Sequence, residues 1–255
     1  MTSRRTIWLS DLRARAIADG FVVLVVVGWW LTARRLPDFV LPGPWPTAQA
    51  LAAFFYDPAL IYHVAATGFR VVLSVILATI IGIALAILPF YLPITRDIIR
   101  ERIQPFLNAM PSLGWAILGV IWFGVTDISV VFVQVAILIP FCFLNVSQGI
   151  DELDAEIMEM ARSFSTSRRR VFWKIIIPSL LPYVIAALRM AYGMCWKIAL
   201  ISELFGAESG LGYVMLQAQV ISDAATVIAT CLVIVAMFVL GDFLVLRPLS
   251  RFVRR

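Results

Sequence analysis

Two cations and two aromatic residues recur at helical spacing in an apolar stretch of the chain. They occupy positions i, i+3, i+7 and i+8 of one helical face: Arg189, Tyr192, Trp196 and Lys197. Burying a charge at the centre of a membrane span costs about 2.5 to 3.5 kcal/mol, so such a face should avoid lipid. The stripe predicts either a cationic lining that an anion can pass, or structural pairing of the cations with an acid or a carbonyl, with Lys197 reaching the outer membrane surface. The sequence leaves both interpretations open.

Catalytic chemistry has few residues to work with. His63 is the only histidine, which argues against paired metal ligands and Ser-His hydrolysis, and we expect it at the surface. Lys174 and Lys197 are the only lysines, and each follows a tryptophan, so the chain has no Gly-Lys-Ser/Thr phosphate loop. We therefore expect no catalytic residue, metal site or cofactor in this chain. Three cysteines without metal-site spacing are expected to pack as small apolar residues: Cys142, Cys195 and Cys231.

Membrane-spanning helices must position these side chains. With 62% hydrophobic residues, 15% charged residues and a mean hydropathy of +0.94, a soluble domain would expose large apolar patches. A chain of 255 residues has room for about six spans of ~20 residues. The prediction is an all-α polytopic membrane protein. Its expected spans are residues 16–33, 68–90, 104–123, 128–147, 179–201 and 224–246.

The spans divide the chain into three predicted parts. Residues 1–67 hold the first span and an outer connector, in which Thr47 is expected to cap a short helix. Residues 68–246 form a core of five spans, and residues 247–255 form a basic cytoplasmic tail. The first span could instead be a signal peptide. A retained helix is favoured, because no small-residue cleavage site follows it.

Small residues and prolines indicate how the spans pack. Ala78, Gly82 and Ala86 repeat every four residues along one face of the second span, which predicts close approach of another helix. Pro111 and Pro140 lie within or near spans, where they favour kinks. Such kinks would serve as a gate or as static bends.

The distribution of cations predicts the orientation in the membrane. Outer segments hold only Arg34 and Arg35, whereas arginines crowd the N-terminus, the C-terminus and the loops on the same side. Since short positively charged loops stay in the cytoplasm, both termini are predicted to be cytoplasmic. The net charge of +5 is then a product of topology and anionic lipid contact, and no nucleic-acid partner is expected.

A charged amphipathic stretch interrupts the apolar chain between Asp151 and Pro178. Acids crowd its early turns and Arg168 to Arg170 follow, an order that complements the helix dipole. A helix that exposes both an apolar stripe and acids needs a docking surface; the alternative is a segment lying on the bilayer. The stripe consists of Leu153, Ile157, Met160, Ala161 and Phe164.

The spacing within this stretch resembles a known signature. Glu159-Met160-Ala161, Ser165, Ile175, Ile177 and Pro178 match Glu-Ala-Ala, three residues, Gly, nine residues, Ile-x-Leu-Pro, and depart from it at Met160, Ser165 and Ile177. The signature belongs to the membrane subunits of binding-protein-dependent ABC importers of the type I fold. The resemblance implies a cytoplasmic coupling helix between spans four and five that docks on a separate ATPase. The residues implied to make that contact are Glu159, Met160, Ala161, Phe164 and Ser165.

A second likeness covers roughly residues 36–246. Residues 36–47, residues 63–70, Glu203 and residues 210–213 resemble the nitrate, sulfonate and taurine group of importer permeases. That group implies small anions, aromatic carboxylates or pyrimidine-type precursors as solutes. Residues 206–212 are glycine-rich, but they follow an apolar span, so an outer turn is favoured over a nucleotide loop.

The resemblance implies a function and a set of partners. The chain would be the permease subunit of an importer in a bacterial inner membrane, giving alternating access to a small anionic solute. Its partners would be a second permease subunit, which makes a homodimer or a heterodimer with a similar chain, together with two ATPase subunits that bind ATP and Mg, an external binding protein and membrane lipids. A self-contained secondary transporter or channel is the alternative, and an intramembrane enzyme is a third possibility that the shortage of histidine and nucleophile motifs argues against.

Overall fold

The computed structural model describes residues 3–152 and 168–249. Within this part the secondary structure is helical, and no strand is present. All five predicted coupling residues, from Glu159 to Ser165, lie outside the described residues. The longer helices are α1 (Ser3–Ala33), α2 (Pro44–Tyr56), α3 (Pro58–Tyr91), α4 (Thr95–Ala109), α5 (Ser112–Phe123), α6 (Asp127–Asp151), α7 (Ile177–Gly206), α8 (Leu211–Val220) and α9 (Ala224–Gly241).

The all-α membrane architecture is confirmed. Among the described residues, four helices are long and apolar enough to cross a membrane: Pro58–Pro89, Asp127–Asp151, Phe172–Gly206 and Ala224–Leu249. The last two include π-helical segments, Phe172–Ile176 before α7 and Asp242–Leu246 after α9. The apolar part of α1, Asp19–Ala33, is shorter. The predicted boundary between residues 67 and 68 falls inside α3.

The predicted third span is broken in the structure. Helices α4 and α5 meet at an angle of 89°, and together they form one bent pair where a continuous helix over residues 104–123 was expected. The break lies at Met110, whose ψ of 122° is extended, because the following Pro111 disfavours helical backbone before it. Pro140, in contrast, is buried inside an uninterrupted α6. Of the two predicted kinks, only the one at Pro111 breaks a helix.

Helices α3, α6 and α7 form the centre of the fold. The face of α3 that carries the small residues Ala78, Gly82 and Ala86 is buried. A Cβ at Gly82 would lie 2.5 Å from the Cβ of Cys142 on α6. This confirms the predicted close helix approach. Cys142 and Cys195 are fully buried packing residues, whereas Cys231 is exposed on α9.

The connector between α1 and α3 corrects one prediction. Thr47 does not cap a helix, because α2 already begins at Pro44 with Gly43 as its N-cap. The Thr47 hydroxyl instead donates to the carbonyl of Gly43 at 3.0 Å. Proline is well placed in the first turn of a helix, where an N–H is not needed, and this moves the start of α2 toward the N-terminus. Trp29 ties α1 to the connector by donating to the carbonyl of Pro42 at 2.9 Å.

Candidate functional site

The structure separates the four residues of the α7 stripe into two pairs. Tyr192 and Trp196 are buried, and the Tyr192 ring stacks on Phe238 of α9 with centroids 5.7 Å apart. The Tyr192 hydroxyl donates to the carbonyl of Met237 at 3.1 Å. Arg189 and Lys197 are exposed. The aromatic pair therefore belongs to the packing between helices, and only the two cations lie on an open face.

This open face runs along most of α7. It repeats every three or four residues and is left uncovered by the described helices. Its members are mostly small or flexible side chains, which would let another surface come close. Beside it, Asn145 of α6 lies 3.4 Å from the sulfur of Met190. The face consists of Pro178, Pro182, Ala186, Arg189, Met190, the half-buried Gly193 and Lys197.

Arg189 has an acidic partner. It lies at the midpoint of the apolar helix Phe172–Gly206, and its Nη2 is 3.3 Å from Oδ1 of Asp242 in the π-helical segment after α9. Arg247 approaches the other oxygen, with Nε 2.9 Å from Oδ2. The Arg189 side chain is nevertheless 52% exposed. Structural pairing and an exposed cation thus coexist at Arg189.

A cavity of about 420 Å³ lies between α3, α7 and α9. Its walls include Val72, Ile76, Tyr192, Trp196 and Leu244, and none of the described residues that line it is charged. A cavity that offers an anion no charged partner is a poor candidate for its binding site.

A polar cluster that was not predicted as a site lies where α3 meets the start of α6 and the end of α7. Arg70 of α3 is 3% exposed. Its Nη1 donates to Glu203 Oε1 and to the carbonyl of Ser209, each at 2.8 Å, and its Nη2 donates to the Ser209 hydroxyl at 2.6 Å. Both Nε and Nη2 also donate to Oδ1 of Asp127, the Nε bond being 2.9 Å long. All five N–H groups of the guanidinium are therefore used.

Glu203 is the buried centre of this cluster. It is 0% exposed, and the hydroxyl of Thr67 lies 2.9 Å from each of its oxygens. Oε2 also accepts from the backbone N–H of Gly212 at 2.9 Å, at the start of α8. The carboxylate thus has a cation, a hydroxyl and the positive end of a helix around it, which compensates for its burial. We call Arg70, Thr67, Asp127, Glu203 and Ser209 the Arg70 clamp.

The turn between α7 and α8 fits closely over Glu203. Gly210 has φ +107°, and a Cβ there would lie 2.4 Å from the Glu203 carboxylate, so glycine is required for both reasons. Its N–H donates to Nδ1 of His63 at 3.1 Å. A turn connects α7 and α8 within residues 206–212, as expected, and its place on the outer side stays a prediction. His63 is half-buried and bonded, which corrects its expected place as a surface residue.

One sequence signal pointed to the clamp. Arg70 is a charge inside an apolar span, and such a charge is expected to have a partner. Neither partner could be identified, because Asp127 and Glu203 are 57 and 133 positions away along the chain.

The charged stretch between Asp151 and Pro178, predicted to hold the coupling helix, is called the coupling stretch below, and the helix ends next to it are also tied. The hydroxyl of Tyr183 on α7 donates to Glu152, which caps the end of α6. Arg100 of α4 forms an ion pair with Asp151 at 2.8 Å. Helix α6 thus enters the coupling stretch held by both α4 and α7.

Comparison with known protein families gives a match over residues 78–254. The matching family is described as the inner membrane component of binding-protein-dependent transport systems. The matched range begins within α3 and continues past α9.

Several curated proteins are similar over most of the chain. The taurine transport system permease protein TauC of Escherichia coli (strain K12) is 29% identical, over 98% of this chain and 93% of its own length. The putative aliphatic sulfonates transport permease protein SsuC of Bacillus subtilis (strain 168) is 26% identical, over 80% and 73%. The formylaminopyrimidine transport permease protein ThiX of Halalkalibacterium halodurans is 25% identical, over 87% and 88%.

A solved structure shares the fold. A chain of the MetNI methionine ABC transporter in an inward-facing conformation superposes with a TM-score of 0.64, over 77% of this chain and 95% of that chain. At 18% identity the likeness supports the architecture alone.

Proposed function

Because the chain belongs to the family of inner membrane components of binding-protein-dependent transport systems, we propose that it is the permease subunit of an ABC importer for a small anionic solute. An external binding protein delivers the solute, and the permease gives it alternating access to the two sides of the membrane. Similarity to permeases named for taurine and aliphatic sulfonates supports an anion as the solute.

The observation that supports an anionic solute is the open face of α7. Arg189 and Lys197 are both exposed on it, inside an apolar helix that crosses the membrane. Exposed cations at this depth need water, an acid or a passing anion, because lipid offers no compensation. Asp242 compensates Arg189 in part, and the 52% exposure of that side chain leaves room for a solute to approach.

The same face supports a second copy of the chain as a partner. A helix face with Ala186 and Gly193 lets another backbone approach closely, and contact with lipid would leave Lys197 without compensation. Two copies facing each other across α7 enclose a path with cations from both subunits. We therefore propose a homodimer with the path between the subunits.

ATP hydrolysis is assigned to separate subunits. The coupling stretch connects α6 and α7, the helices that pack along each other at the centre of the fold, so movement of a docked ATPase reaches both of them. Two ATPase subunits bind ATP and Mg on the cytoplasmic side, and this chain holds no cofactor. In this topology the termini and the coupling stretch are cytoplasmic.

Reconstitution tests the proposal. The tagged chain is purified with its ATPase subunits, placed in liposomes with its binding protein, and supplied with labelled taurine as the probe. We expect uptake that requires Mg-ATP and the binding protein. Uptake that persists without ATP would support a channel or secondary transporter instead. If taurine is not taken up but other labelled small anions are taken up in an ATP-dependent way, the importer function stands and only the identity of the solute changes. ATP-dependent uptake of neutral or cationic solutes alone would refute the proposal that the solute is an anion.

Two variants in the coupling stretch sharpen the test. Ala161→Arg places a long cation in the predicted contact and should abolish uptake while the subunit remains inserted in the membrane. Ser165→Gly restores the residue typical of the family signature and should keep uptake. Normal uptake by Ala161→Arg would contradict the assigned coupling site.

A further inference from the structure

The Arg70 clamp joins the two helices that flank the coupling stretch at their far ends. Helix α6 begins at Asp127 and reaches the coupling stretch at its other end, and α7 leaves the coupling stretch and carries Glu203 in its last turn. One guanidinium on α3 binds both carboxylates. The clamp therefore lies at the opposite end of α6 and α7 from the segment on which the ATPase is proposed to act.

The two halves of the clamp differ in burial. Glu203 is completely buried, whereas the Asp127 side chain is 76% exposed. A buried charge cannot lose its partner without a large penalty, while an exposed carboxylate can be changed without leaving a new buried charge. The bond between Arg70 and Glu203 is thus part of the folded core, and the bond between Arg70 and Asp127 is the separable tie between α3 and α6.

We propose that Arg70 is a positioning residue of the transport cycle, which makes the far ends of α6 and α7 move as one body. This inference rests on the proposed importer function. When the ATPase moves the coupling stretch, force enters α6 and α7 at their near ends. If their far ends could slide past each other, part of the movement would be lost as relative motion of two helices. Bonded to one guanidinium, the two far ends turn together and carry the α7–α8 turn with them.

Further contacts support a common body. Gln134 of α6 donates to the Ser202 hydroxyl of α7 at 3.3 Å, one residue before Glu203. Gly206 approaches Ser129 so closely that a Cβ would lie 3.1 Å from its hydroxyl oxygen. These contacts pack α6 against α7, and the tie between Asp127 and Arg70 adds to them a hydrogen bond between charged groups, a stronger type than one between neutral groups.

The test uses the exposed half of the clamp. Asp127→Asn removes the charge from the tie and leaves the buried pair of Arg70 and Glu203 in place, so the subunit should fold. Asp127→Glu keeps the charge and serves as the conservative rescue. Glu208→Gln is the matched control, since Glu208 is an exposed acid in the α7–α8 turn without an ion pair or side-chain hydrogen bond among the described residues.

The readout is the amount of labelled solute transported per ATP hydrolysed in the reconstituted complex. For Asp127→Asn we expect this ratio to fall by roughly fivefold or more, at the low end of typical couplings between distant sites, with assembly and ATP hydrolysis retained. Asp127→Glu should restore most of the ratio, and Glu208→Gln should leave it unchanged. A ratio for Asp127→Asn equal to that of Glu208→Gln would overturn the proposal.

The wild-type complex shows whether a negative result concerns the importer function or the role of Arg70. If the wild-type complex shows no ATP-dependent uptake of any solute, the proposed importer function is wrong, and the positioning role of Arg70, which rests on it, falls with it. If the wild type transports and Asp127→Asn transports equally well per ATP, the importer stands and the positioning role of Arg70 is wrong. Loss of complex yield in Asp127→Asn would also overturn it, since the clamp would then serve only stability.

Discussion

Arg189 reaches Asp242 across the gap between two membrane-spanning helices, with Nη2 3.3 Å from Oδ1. Asp242 is itself shared, because Arg247 binds its second oxygen at 2.9 Å. Removing Arg189 therefore leaves Asp242 with a cationic partner. This arrangement allows the role of Arg189 in transport to be tested separately from its role in folding.

Arg189→Ala should lower transport while the complex still assembles. We expect a loss of about tenfold in solute-stimulated ATP hydrolysis, the effect of removing roughly 1.4 kcal/mol of favourable interaction. Arg189→Lys, which keeps the charge, should lose much less. Full transport by the alanine variant would remove Arg189 from the path. Reduced yield with normal specific activity would make it a packing residue.

Gly241→Ala should destabilise the subunit. A Cβ at this position would lie 2.0 Å from the Tyr192 hydroxyl oxygen and 2.8 Å from Cζ, and the stacked Phe238 limits movement of the ring. Overpacking of this kind costs about 1 to 3 kcal/mol. The measurement is the thermal unfolding of the detergent-purified subunit. Gly68→Ala is the control on α3, where the nearest atom, the terminal methyl of Met237 on α9, would lie 3.6 Å away, and equal unfolding temperatures would contradict the prediction.

Gly210→Ala and Gly124→Ala separate backbone strain from collision. Both glycines have positive φ, +107° and +71°, but only at Gly210 would a Cβ meet the Glu203 carboxylate. The strain alone costs about 1 to 3 kcal/mol for a residue with a side chain. Gly210→Ala should therefore lower the unfolding temperature more than Gly124→Ala does. A larger loss at Gly124 would show that the α7–α8 turn is free to move away from Glu203.

Topology can be checked by labelling single cysteines from outside the cell. A background without native cysteines requires above all the replacement of the exposed Cys231, since Cys142 and Cys195 are fully buried. Trp45 is exposed in α2 and should label after Trp45→Cys, whereas Arg168→Cys should not, because the distribution of cations places it in the cytoplasm. Outside labelling at position 168 would reverse the predicted orientation.

Composition and periodicity were enough to predict four of the six expected spans, because apolar length is a local property. They could not predict how two similar prolines behave. Pro111 breaks its helix at the preceding residue, and Pro140 is accommodated within a buried α6. The difference depends on the neighbouring helices that surround α6, which no local pattern contains.

The arrangement of the α7 stripe was predicted only in part, because it also depends on neighbouring helices. Helical spacing placed Arg189 and Tyr192 on one stripe, but burial against α9 separated them, and the acid that pairs with Arg189 lies on a different span. The Arg70 clamp needed three helices to be assembled before its members could be related. Long-range pairs of this kind follow from packing, and the sequence showed only that Arg70 needed a partner.

The clamp also has an electrostatic consequence for the solute. Arg70 is a single positive charge held between two carboxylates, Glu203 and Asp127, so the group as a whole is negative. With every N–H of the guanidinium engaged, it offers a travelling anion no bond and a net repulsion. An anion arriving at this end of the subunit would be turned away from the clamp and toward the wall of α7 that carries Lys197. The clamp would thus help to direct an anionic solute along α7 without binding it.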